Sequence, residues 1–334
     1  MVKVGIPQAL LFYQYYPMWR TFFQELGAEV VVSAETNQAI LAKGSARVVP
    51  DTCLPVKVFL GHVLSLVGKC DRIFIPSIRS VRAKVYNCSK FLGLADMTRM
   101  VIPESPPILD IGIDLNRGQR HLYREIYNLG RHFTPNPFKI RHASLAAWET
   151  HRLYRRLMAE HSLTPLEMIA LMFEDMNTPA CPVQKAACAQ TTIALIGHPY
   201  LIGDHHISHR LLDRLRRAGC HVMTPEMLTD IQITSGLADS VGQSYWTYED
   251  EVVGAASCYL KNGVDGVVSI MAFGCGPDSL MMDTVQRLAV RNGMIPYMSL
   301  TIDEHTAESG LVTRLEAFLD MVKMRNRMRQ PSCP

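Results

Sequence analysis

Cys275 stands in "AFGCGPDS", residues 272–279, between two glycines and just before a proline, where an apolar run "GVVSIMA" must end. Two more of the nine cysteines share features of that setting. Cys53 lies in "DTCLPVKVFLGHV", with Pro55 in the first turn of a helical pattern. Cys88 lies in "YNCSKFLGLADM", after the apolar run "DRIFIPS" and before another helical start. A thiol at a helix start sits by the positive end of the dipole, which favours thiolate, the form that binds metals. Gly274 and Gly276 let backbone approach whatever the sulfur holds, and exposed amides there can donate to cluster sulfides. All three are expected at strand ends, where ligands collect in open α/β sheets. No Cys-x-x-Cys pair of the zinc-ribbon or ferredoxin kind occurs. Spacing alone therefore leaves open a shared metal site or three independent cysteines in core and loops.

The other cysteines have plainer settings. Cys70, Cys220 and Cys258 fall in or beside apolar helix and strand patterns and are expected to pack. Cys181 and Cys188, in the linker-like "CPVQKAAC", can be ligands or packing residues, and Cys333 is on the tail. Other chemistry-bearing residues end strands. "TIDEHT" places Asp303, Glu304 and His305 toward the same crevice, with His305 and Glu304 as candidate acid/base groups; equally they can cap or pair with Arg314. "GHPY" brings His198 and Tyr200, with His198 either orienting a ligand or serving the turn. Arg79, Arg82 and Lys84 precede Cys88, where they offset negative charge, meet an anionic partner or simply form a solvated loop.

Elements that place these residues alternate along the chain. "VKVGI", "AEVVVS" and "DRIFIPS" read as strands with helices between them, Pro17 near the start of the first and Gly27 its stop. Thr36 or Asn37 caps the next helix and Gly44 closes it. The pattern restarts at "TTIALIG" and runs through "CHVMT", "GVVSIMAFG" and "IPYMSL", with no sequence repeat between the halves. The expected fold is α/β: two doubly wound lobes with parallel sheets and a helical bridge. The expected division is 1–115, a helical bridge over 116–189, and 190–334.

Composition narrows the function. The 334 residues are 48% hydrophobic and 19% charged, with a net charge of +3. No basic run or RNP-like motif points to nucleic acid, and no apolar stretch reaches the ~18 residues of a membrane span. The first residues read as strand and helix, not as a signal peptide, so the cytoplasm is the expected compartment and the thiols are expected reduced. No Walker loop or G-x-G-x-x-G motif is present, so no ATP or NAD site is expected.

"GIPQALLFYQYYPMWRTFFQELGAEVVVS", "DTCLPVKVFLGHV", "RIFIPSIRS", "YNCSKFLGLADM", "GHPYLIGD", "FGCGPDS" and "TIDEHTAESGLVTRLEAFLD" resemble the family related to 2-hydroxyacyl-CoA dehydratases and their activases. The resemblance implies two Rossmann-like lobes with a [4Fe-4S] cluster in the inter-lobe cleft, held by Cys53, Cys88 and Cys275, with the fourth iron position open. A double-cubane cluster would need six such cysteines. Ser89 follows Cys88 where many relatives carry proline; Ser89, Gly274 and Gly276 would border the cofactor. The implied partner is an ATP-hydrolysing iron–sulfur activase that supplies low-potential electrons in an anaerobic setting. Three functions follow: a redox protein reduced by that activase and reducing a small molecule or another cluster, a dehydratase-like subunit acting on an acyl-CoA, or a non-enzymatic cluster carrier or scaffold. A homodimer is left open. Ligands from two lobes would clamp lobes otherwise joined by a modest interface.

Overall fold

The structure, a computed structural model, describes residues 1–173, 191–242 and 245–329. Its first half runs β1 (Lys3–Ile6), α1 (Phe12–Glu25), β2 (Glu29–Val32), α2 (Gln38–Ser45), α3 (Leu54–Leu66), β3 (Arg72–Ser80), α4 (Ser89–Leu92), α5 (Leu94–Val101) and β4 (Ile108–Asp114). Helices α6 (Gln119–Gly130), α7 (Pro137–His161) and α8 (Pro165–Met172) follow. The second half holds β5 (Thr191–Ile196), α9 (Pro199–Ile202), α10 (Leu211–Arg217), β6 (Cys220–Met223), α11 (Asp230–Ala238) and α12 (Thr247–Lys261). It ends with β7 (Gly266–Ala272), α13 (Gly276–Arg291), β8 (Tyr297–Ile302) and α14 (Glu308–Arg329).

Two four-stranded parallel sheets result, ordered β2-β1-β3-β4 and β6-β5-β7-β8. The chain is an α/β protein of two Rossmann-like lobes. The same strand order appears twice although the sequences show no repeat, because topology needs only the alternation of buried strand and amphipathic helix. β7, buried at six of its seven positions, reads as a near-continuous apolar run because both faces of a parallel sheet are covered. β4 lies at the sheet edge, and its alternation "ILDIGID" was not read as a strand.

Local details depart from the sequence reading in instructive ways. Pro17 lies inside α1, not near its start. A proline there removes the amide that would bond to Tyr13; the buried Tyr154 hydroxyl of α7 donates to the Tyr13 carbonyl instead, at 2.6 Å. Gly44 does not close α2, which continues to Ser45. It is a contact point: a Cβ at Gly44 would overlap the Lys57 carbonyl of α3, and one at Gly61 the Ile40 carbonyl of α2. Asn37 is the cap of α2, accepting from the Ile40 amide at 3.0 Å. Residues 46–52 are turns and irregular chain, so Cys53 follows a loop from α2 and not a strand.

The lobes do not meet across a modest interface. One apolar core runs through α3, α5, β3, β5, β7, α10 and α14, joining both sheets. A second packs α1, α7 and α8 on the outer face of the first sheet, and a third packs α11, α12 and α13 on the outer face of the second. Polar contacts reinforce the junction: buried Lys57 pairs with Glu304, Arg216 with Glu167 at 2.6 Å, and Thr36 donates to Asp204. Among the described residues no helix is long and apolar enough to cross a membrane.

The close approach of α2 and α3 fixes where α3 begins, and hence where Cys53 stands. Gly61→Ala is expected to destabilise the protein by about 3 kcal/mol, since a methyl must displace backbone. Gly310→Ala, where a Cβ meets nothing within 4 Å, should stay within about 1 kcal/mol of wild type. Urea denaturation of both variants checks this; equal stability would show that the glycine contact is not a constraint.

Candidate functional site

In each sheet the helices that follow the two central strands leave on opposite faces. After β1, α1 joins the outer core, and after β3, α4 and α5 join the shared core. After β5, α9 and α10 join the shared core, and after β7, α13 joins the outer one. Such switch points are where open α/β sheets bind ligands. Here both switch points open on one pocket. Leu10 follows β1, Cys88 and Lys90 follow β3, His198 and Tyr200 follow β5, and Cys275 and Asp278 follow β7; all line it, with Cys53 from the start of α3. About 540 Å³ of space, open solvent included, lies among these residues.

Cys53, Cys88 and Cys275 are each the residue that precedes a helix, α3, α4 and α13. The Cys88 sulfur meets the Lys90 amide, and the Cys275 sulfur meets the amide and carboxylate of Asp278; all three cysteines line the pocket. The Lys90 ammonium lies 3.8 Å from the Cys53 sulfur. Burial pushes the Cys88 thiol up, and burial with the nearby Asp278 carboxylate pushes Cys275 up strongly. At these two thiols desolvation outweighs the helix ends.

Behind the thiols lies a buried ion pair. His198 donates from Nε2 to Asp278 Oδ1 at 2.8 Å, and both side chains are almost wholly buried. Burial alone would lower the imidazole, but the Asp278 carboxylate overrides it and raises His198 from 6.5 to about 9. Asp278 is fixed in turn by the Ala272 amide at 3.3 Å. Tyr200 stacks on the imidazole, ring centroids 5.0 Å apart. Glu249, near the start of α12, completes a group: ligand atoms of His198, Glu249 and Asp278 lie within 4.8 Å of one another, the one such trio among the described residues.

Other candidates lie elsewhere. Ser89 is exposed and Gly276 has open space where a Cβ would be; Gly274, at φ +77°, turns the chain beside the Asp51 carbonyl. Glu304 is held by Lys57 and His305 is exposed, both outside the pocket lining; Arg314 donates instead to the Ser299 carbonyl. Arg82 pairs with Asp250 at 3.3 Å, Arg79 lies 3.8 Å from Asp114, and the Lys84 amide donates to Asn116. Cys70 packs under Gly5, Cys220 is in the shared core, and Cys258 meets Asn262. Cys181, Cys188 and Cys333 lie outside the described residues. The sequence reading missed Lys90, Glu249 and Asp278. Asp278 had a signal, an acidic residue in the first turn of the helix that Cys275 opens.

With that geometry in hand, comparison places the chain. Residues 3–228 match the family model described as the CoA enzyme activase uncharacterised domain. The chain belongs to that family. No curated protein matches it. The activase-related domain match takes in Cys53, Cys88 and His198 and stops before Glu249, Cys275 and Asp278.

Breaking the buried pair should be costly. In metal-free protein, Asp278→Asn takes from buried His198 its hydrogen-bonded counter-charge and is expected to cost about 3–5 kcal/mol. The sign follows from linkage: a raised histidine stabilises fully below its unfolded value of 6.5, and that share is lost as pH rises through about 9. In the variant, burial is opposed only by the more distant Glu249 and Glu251 charges, and His198 titrates well below 9. NMR of the imidazole against pH measures this; an unchanged value near 9 would contradict the assignment.

Proposed function

We propose that the pocket holds a [4Fe-4S] cluster on Cys53, Cys88 and Cys275, and that the chain is an iron–sulfur redox protein of an activase–dehydratase type system. The carrying observation is that three thiols far apart in sequence, two from one lobe and one from the other, line a single pocket. The donor set suits the group. Thiols are the soft ligands that select iron–sulfur clusters, yet these three are not among the trios that lie within 4.8 Å of one another, the spacing for one ion. Open space at Gly276 leaves room at that helix start.

Bound there, such a cluster would pass single electrons and, at the iron without thiolate, bind an oxygen atom of a small ligand. The chain's own residues support that use. Lys90 offsets thiolate charge beside Cys53. The His198–Asp278 pair holds a proton at a ring nitrogen beside the pocket. Phe91, Tyr200 and Tyr248 wall the site with aromatic surface, and Tyr248 is tied to Tyr15 at 3.3 Å. The electron source in this reading is an ATP-hydrolysing activase, and membership of the CoA enzyme activase-related family agrees with a role in such a system.

Protein purified without oxygen is expected to be brown and to carry about four irons and four labile sulfides per chain. Cys275→Ser should lose most of both while keeping its far-UV CD, because the shared apolar core folds without metal. Cys70→Ser and Cys258→Ser should keep their iron. Colourless wild-type protein, or equal iron loss in both sets, would refute the ligand assignment.

A further inference from the structure

We infer that the Glu249 carboxylate is the fourth protein ligand of the cluster, an oxygen donor to the iron that the three cysteines leave without thiolate; this rests on the cluster reading above. Residues 249–251 are three consecutive acids at the start of α12. Asp250 pairs with Arg82, and Glu251 accepts from Gln14 at 3.3 Å. Glu249 alone of the three lines the pocket. It is 9% exposed, and apart from its own backbone amide its carboxylate has no hydrogen-bond donor among the described residues. The other ionic groups at the pocket are engaged: Asp278 with His198 and the Ala272 amide, Lys90 with the Cys53 sulfur. The His198 imidazolium gives it an opposite charge nearby but no hydrogen bond, and a carboxylate so buried is costly without a bonded partner. A metal in the pocket would be that partner. Carboxylate oxygen is a harder donor than thiolate and suits iron less well, so the position would be closed at rest yet displaceable. The imidazolium of His198, within the same 4.8 Å group, gives a displaced carboxylate a cation to settle on.

The test uses anaerobic holoprotein and stoichiometric ferricyanide. The oxidant takes one electron from the cluster and is itself reduced to ferrocyanide; the iron lacking thiolate then leaves as Fe²⁺, and the three-iron cluster that remains has its own EPR signal. Glu249→Gln is expected to release that iron about tenfold faster than wild type. Glu249→Cys, which supplies a fourth thiolate, should release it more slowly. Equal rates in all three proteins, at equal starting iron, would overturn the Glu249 assignment and leave the three-cysteine cluster standing. Wild-type protein without iron would overturn the cluster reading and this inference with it.

Discussion

A parallel sheet with strand order 2-1-3-4 must send the helices after its two central strands to opposite faces, and the chain ends of those strands then gape. This protein builds that gap twice and sets the two against each other across one apolar core. The pocket depends on that arrangement. Cys88 and Cys275 are equivalent in it, each following the third strand of its lobe in chain order, as Leu10 and His198 each follow the first. Cys53 breaks the symmetry, coming from the start of a helix whose position is set by the Gly44–Gly61 contact with α2. Because the lobes share a core, metal need not hold them together; it would add to a junction already formed.

Two buried histidines show how partners decide charge. His62 is fully buried between hydroxyls, Ser33 at 2.8 Å and Thr36 at 2.9 Å, and burial lowers it to about 4. Thr36 donates to the Asp204 carboxylate, so it accepts from His62 Nε2, and His62 Nδ1 accepts from Ser33. The tautomer follows from the direction of the chain, which ties the first lobe to the second with a neutral ring. His198 faces a carboxylate and keeps its charge against the same desolvation. One ring is held neutral and the other charged; burial alone does not distinguish them.

Much of this was legible in the sequence. Apolar runs alternating with helical patterns give two α/β lobes, and the cysteines beside proline and glycine at helix starts are among the residues that line the pocket. What the sequence hid depends on three-dimensional neighbours. Glu304 and His305 end a strand, β8, but β8 is an edge strand of its sheet, away from the switch point, and Lys57 takes the carboxylate. Lys90, Asp278 and Glu249 each sit in the first turn of a helix, a position common to capping residues on any surface, so nothing local sets them apart. Burial raises the Cys88 and Cys275 thiols, and burial is a property of the packed pair of lobes.

Anomalous diffraction at the iron absorption edge, from crystals grown without oxygen, tests the central claim directly. The account predicts one compact iron peak in the pocket, bordered by the sulfurs of Cys53, Cys88 and Cys275 from both lobes. Iron bound within one lobe only, or a pocket whose three thiols border no iron in protein that carries it elsewhere, would contradict it.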